Sequence, residues 1–224
     1  MADGPIYMKI LLIGAWFIQM GAHEGAHAHM AYRCGDDTAS LLGKRSFNPL
    51  NHVEWTNINS ILFSVIVPSL TAYYYMFPMG MAWVPVNVRR LRSPGKDMAK
   101  IAFVGPLANL VVAAVCLVLH LSLGMLGLSN EDTVGLMRFA WLCDQFLFAI
   151  GFTSIIYGFF NLVPIPPLDG AKVLRHFLPR GGQDVMDNIA PYGMMLIVML
   201  FWVGDLGQIF LVPMSIFVQL WGFV

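Results

Sequence analysis

Long apolar runs separated by short polar stretches set the plan of this chain. The first run covers about Ile6 to Tyr32, and a polar stretch from Arg33 to Asn59 follows, rich in Asp, Asn, Ser and Thr. A second apolar stretch, Ile61 to Val88, is interrupted by Pro68, Pro78, Gly80 and Pro85. Cleaner runs follow at Met98 to Leu126 and at Phe139 to Val163. A last run spans roughly Ile189 to Val212, with a break expected at Pro213 before an apolar tail. Crossing a bilayer as a helix takes roughly 20 apolar residues. The pattern therefore predicts an all-α, polytopic helical bundle with four to five full crossings. Around 61–88 it predicts a re-entrant hairpin, because irregular backbone at membrane depth must be buried in protein or line a cavity. No internal repeat or low-complexity linker is visible. Residues 1–224 read as one integral membrane domain, with a core over about 6–180 and a C-terminal crossing over about 189–212.

Composition agrees with a membrane protein. Hydrophobic residues make up 58% of the chain and charged residues 12%, about half the roughly 25% usual for globular domains. Basic and acidic residues balance at 13 each, so there is no basic stripe to suggest nucleic acid. Three cysteines, two of them in apolar runs, support neither a disulfide framework nor a cysteine zinc cluster. The first run lacks a basic leader region and carries His23, Glu24 and His27, so it reads as a retained helix rather than a signal peptide.

Lys and Arg accumulate in cytoplasmic loops. They fall here in three clusters: Arg33, Lys44 and Arg45; Arg89, Arg90, Arg92, Lys96 and Lys100; and Lys172, Arg175 and Arg180. A hairpin at 61–88 puts all three on one side, expected to be the cytoplasm, and puts the loop with Glu131 and Asp132 outside. The expected location is the cell membrane, with the lipid bilayer as solvent.

The first helix carries His23-Glu24-Gly25-Ala26-His27. Residues i and i+4 share a helix face, so both imidazoles can reach one ion, with Glu24 beside them to take a proton from water. Two His and a Glu in an apolar helix are costly in lipid and mark a functional interior. A catalytic zinc takes three protein ligands and keeps a fourth position open. Candidates for the third are His29, His52, His120, His176 and the acidic residues. His29 points about 200° away from His27 round the helix. His120 and His176 read as interfacial or surface histidines. Asp169 stands out, because it follows a proline-broken helix end, Asn161-Leu-Val-Pro-Ile-Pro-Pro-Leu-Asp169-Gly170, on the side where the first helix also ends.

These two motifs together resemble the site-2 protease family of intramembrane metalloproteases (peptidase M50). Gly105-Pro106-Leu-Ala-Asn109 is similar to that family's G-P-x-x-N segment, and Asn48-Pro49-Leu50-Asn51-His52 resembles the short bacterial branch without PDZ or CBS domains. The likeness covers about residues 10 to 180. It implies one zinc ion per chain on His23, His27 and Asp169, with Glu24 as general base. It also implies that Asn161 holds the substrate or the developing oxyanion; a helix-end cap is the competing role for that residue. His52 and Asn109 are further candidates for substrate or transition-state contact, against local hydrogen bonding for His52 and interhelical packing for Asn109. Departures are small: Gly25-Ala26 is smaller than usual, and Glu54-Trp55 stands where Asp-Pro is expected.

The implied activity is hydrolysis of peptide bonds in or near transmembrane segments, with transmembrane proteins as substrates and a homo-oligomer or adaptor protein as further candidate partners. A non-proteolytic metal-binding protein of the same fold is the alternative. A metal-ion transporter is disfavoured, because its pathway needs polar residues at several depths.

Overall fold

The computed structural model describes residues 5–126, 136–202 and 207–222. Among them the chain is helical, without a strand. The main helices are α1 (Ile6–Arg33), α2 (Ile58–Tyr75), α3 (Pro94–Met125), α4 (Leu136–Leu162), α5 (Asp169–Phe177), α6 (Arg180–Ile189), α7 (Gly193–Trp202) and α8 (Gly207–Leu220). Among the described residues, α1, α2, α3 and the Arg138–Leu162 part of α4 are long and apolar enough to cross a membrane. Their outer faces leave Ile10, Ile18, Val111, Val115 and Val118 exposed, as a lipid solvent permits.

Where a hairpin is expected over 61–88, the chain forms a helix and an irregular return over residues 58–87. The first turns of α2 lie beside the middle of α1, where Ile61 and Val65 pack on the cluster of Trp16, Met20, Val53 and Tyr157, and α2 ends beside Lys9, which sits 4.2 Å over the Tyr73 ring. The chain then returns without regular structure, past Trp16 at Gly80, to Asn87. There the fully buried Asp36 carboxylate, just beyond α1, accepts from Asn87 N at 2.6 Å and from Thr38 N at 3.0 Å. Burial opposes the Asp36 charge, but the hydrogen bonds from Thr38 and Asn87 outweigh it and hold the carboxyl below its usual range.

Proline chemistry explains the hairpin's internal bonding. Pro68 has no N–H, so the Ser64 carbonyl one turn earlier loses its helical donor, and Leu62–Ile66 opens into a π-turn. Trp16 Nε1 donates to that carbonyl at 2.8 Å. The neighbouring Phe63 carbonyl accepts from Met81 N at 3.1 Å, and Ser64 Oγ donates to Met81 O at 2.9 Å. Tyr157 on α4 closes the set, donating to Pro78 O at 2.8 Å and accepting from Gly80 N at 3.1 Å.

Three expectations change. The stretch 189–212 is not one helix: Pro191 lies in a single 3-10 turn, α7 starts only at Gly193, and residues 203–206 lie outside the described residues. Pro213 lies inside α8 rather than ending a helix, and α8 packs back along α4 through Phe210 on Phe160 and Phe217 on Gly151. His120 is no free surface residue. It joins α3 to α4 through the buried Asp144 at 2.7 Å, with Trp221 stacked on its ring. The Glu131–Asp132 loop lies outside the described residues. The three basic clusters gather at the end where α1 finishes, since Arg92 N donates to Cys34 O and Gly95 approaches the His176 ring.

A hairpin that enters and leaves on one face makes a direct prediction. Single cysteines at Thr56 and Arg89, in a chain lacking Cys34, Cys116 and Cys143, react with a membrane-impermeant maleimide from the same side of sealed vesicles. Labelling from opposite sides means that 58–87 crosses.

Candidate metal centre

Three α1 positions one turn apart, Gln19, His23 and His27, face Asn109, Gly105 and Ile101 on α3 in antiparallel register. Each set repeats every four residues and so lies on one helix face. At Gly105 the two helices touch: a Cβ there would run into the His27 ring, and would lie 2.9 Å from His23 Cε1. One turn away, His27 Nδ1 donates to Ile101 O at 2.6 Å, which leaves the Nε2 lone pair facing inward. One turn the other way, Asn109 Nδ2 lies 3.1 Å from His23 Nδ1 and donates to Gln19 Oε1 at 3.1 Å.

Asp169 comes from the far end of the chain. α4 ends at Leu162, a proline-rich turn with a cis Pro166–Pro167 bond follows, and α5 opens with Asp169. Gly170 makes this possible, since a Cβ there would clash with the Leu162 carbonyl. Asp169 Oδ2 lies 3.0 Å from His27 Nε2 and 3.2 Å from His23 Nε2, and the two Nε2 atoms are 3.0 Å apart. All three residues are buried. Asp169 turns Oδ2 toward the two imidazoles. Its other oxygen, Oδ1, accepts from Lys172 Nζ at 2.9 Å.

The donor set fits zinc. Two imidazole nitrogens and a carboxylate oxygen are its usual ligands, and tetrahedral bonds of about 2.0–2.2 Å put ligand atoms about 3.3–3.6 Å apart. The triangle here, 3.0–3.2 Å on edge, needs to open by only a few tenths of an ångström.

The cluster borders a cavity of about 1190 Å³ lined mostly by apolar side chains, many from the hairpin's return segment. Glu24 lines it beside His23, as does Lys172. Asn161 also lines it, with Nδ2 donating to Tyr157 O at 3.0 Å, so one of its two amide hydrogens is spent on backbone. The two further candidates for substrate contact, Asn109 and His52, do not line it. Asn109 is fully buried behind His23, on its outer nitrogen. His52 is also buried: its Nε2 donates to Ser46 O at 2.8 Å, while Nδ1 has no partner. Burial lowers its pKa. It fixes the loop that packs on α1, where Gly25 admits the Phe47 ring and Ser46 O. His29 turns away, with Nδ1 2.8 Å from Gly25 O and its ring stacked on Phe47.

Gln19 and Lys172 escaped the sequence reading, although both carried a signal. Gln19 is a polar residue in an apolar helix, one turn before His23 on the same face. Lys172 is three residues after Asp169, within side-chain reach on a helix.

A model of peptidase family M50 matches residues 11–203. The chain is 29% identical over 210 residues to the "Putative zinc metalloprotease YwhC" of Bacillus subtilis, covering 94% of this chain and 88% of that one. It is 28% identical over 191 residues to the "Putative zinc metalloprotease Rip2" of Mycolicibacterium smegmatis, and 22% identical over 192 residues to the protein of the same name in Mycobacterium tuberculosis. The chain spans 66% of the length of each Rip2 protein. No solved structure matches it.

The contact at Gly105 predicts a sharp position dependence. Gly105→Ala displaces the His27 ring and lowers zinc retained through purification, read by elemental mass spectrometry, by at least about tenfold. Gly181→Ala, whose Cβ meets nothing within 4 Å, leaves zinc content unchanged.

Proposed function

The chain belongs to peptidase family M50, and from that premise we propose that it is a zinc-dependent intramembrane endopeptidase that cuts transmembrane segments of other membrane proteins. The observation that carries this reading is the buried His23–His27–Asp169 triangle, with Glu24 beside it, at the edge of a large apolar cavity inside a helical membrane bundle. The names of the relatives, zinc metalloproteases, support the same chemistry.

In this reading His23 Nε2, His27 Nε2 and Asp169 Oδ2 hold one zinc ion. Bound there, zinc supplies a lowered water pKa and a Lewis acid for the scissile carbonyl. Glu24 takes the proton from the attacking water and then delivers it to the leaving amine. Asn161 offers its remaining amide hydrogen to the developing oxyanion. Lys172 holds Asp169 through Oδ1, so that Oδ2 stays turned to the imidazoles. The apolar cavity receives a locally unwound stretch of substrate, because a helical peptide's carbonyls are already hydrogen-bonded and its backbone is shielded from attack. The side where the three basic clusters gather is the cytoplasmic one, by the positive-inside rule, and water enters there. Residues 1–224 act as one membrane domain, and substrate selection rests on its membrane segments and short loops or on an adaptor.

Purified Glu24→Gln retains its zinc and cleaves a transmembrane peptide at least about 100-fold more slowly than the parent. Asp169→Ala loses both zinc and cleavage. Wild-type cleavage by Glu24→Gln excludes the mechanism, and full zinc occupancy in Asp169→Ala excludes the ligand set.

A further inference from the structure

We propose that Asn109, backed by Gln19, is the positioning residue of His23: its amide selects the ring tautomer that presents Nε2 to the metal. The inference rests on the metal-centre reading above. A metal bound at Nε2 requires the ring's remaining proton on Nδ1, so the group facing Nδ1 must accept. The group that faces it is the Asn109 amide, 3.1 Å away, and both residues are buried.

In the structure that amide is turned the other way. Its nitrogen faces His23 Nδ1 and Gln19 Oε1, and its oxygen is buried with no partner. A half-turn about the Cβ–Cγ bond exchanges the two atoms in nearly the same volume. Asn109 Oδ1 then accepts from His23 Nδ1–H. With the Gln19 amide turned as well, Oδ1 also accepts from Gln19 Nε2–H. The unpartnered position passes from the oxygen to the nitrogen, and the turned arrangement pairs with a proton on His23 Nδ1, the tautomer that presents Nε2. His27 has no such device, because the Ile101 carbonyl can only accept.

The spacing explains why an asparagine stands one turn from Gly105. Gly105 makes room for the imidazoles, and the residue at i+4 on the same face reaches the outer nitrogen of the nearer one. A leucine fills the same space without accepting. An aspartate accepts from Nδ1–H without needing to turn.

The test is zinc affinity, measured by competition with a chelator on purified full-length protein, with no substrate present. Asn109→Leu is expected to weaken zinc binding about 10- to 100-fold, and Asn109→Asp to bind within about threefold of wild type or more tightly. Gln19→Leu is expected to weaken it several-fold. Wild-type affinity in Asn109→Leu, with helical content unchanged by circular dichroism, overturns the proposal. Equal weakening in Asn109→Leu and Asn109→Asp also overturns it, because packing alone then accounts for both. If Asn109→Leu does not fold, Asn109→Asp decides alone: retained affinity supports the proposal and about tenfold weakening removes it. A wild-type protein that binds no zinc defeats the metal-centre reading itself, whereas wild-type binding unaffected by Asn109 defeats only this inference.

Discussion

The contact between α1 and α3 at Gly105 is the constraint on which the site depends. Two histidines on one helix face do not by themselves define a ligand pair, since their rings could turn toward lipid or toward each other's backbone. Here the missing Cβ at Gly105 lets both rings pack against α3. The carbonyl of Ile101 and the amide of Asn109 then take the outer nitrogens. Three consecutive turns of α3 therefore do separate jobs for one pair of ligands. Helix association in lipid relies on close packing of small residues and on interhelical hydrogen bonds, and this face supplies both at the place where chemistry needs precision.

The hairpin obeys a second constraint, the satisfaction of backbone groups away from water. Pro68 frees a carbonyl, and Trp16 from α1 caps it. The return segment lacks regular structure, yet Met81 bonds through both its N–H and its carbonyl, and Tyr157 holds Pro78 and Gly80. Proline thus does two things: it opens the helix into a π-turn, and it exposes the acceptor by which that turn is tied to the bundle. The irregular chain then lines the cavity beside His23, His27 and Asp169.

What was legible in the sequence is what periodicity and local chemistry determine. The apolar runs marked the long helices, the prolines marked the hairpin, and two motifs marked the three residues that converge. The reading was weaker wherever a role depends on which helix face meets which neighbour. Asn109 has the chemistry of a substrate contact and the position of a ligand support, and only the antiparallel register of α1 and α3 separates the two. His120 has the sequence neighbourhood of a membrane boundary, yet its partner Asp144 sits on another helix. The C-terminal stretch reads as a single apolar run, because hydropathy cannot register the turn at Ala190–Tyr192 that delays α7.

Local charge gives the geometry its direction. Asp169 and Glu24 are both buried at the cavity, and the cation within reach of Asp169 is Lys172, whose side chain is about half exposed. Two carboxylates against one ammonium leave the site net negative, and in an apolar surround such an imbalance is felt more strongly than in water. A dication at the His23–His27–Asp169 triangle reverses that sign. A site of net positive charge then faces whatever carbonyl oxygen enters, which is the polarity that a developing oxyanion requires. The partial exposure of Lys172 fits this balance: its ammonium keeps solvent contact and secures one carboxylate oxygen, leaving the other to the metal position.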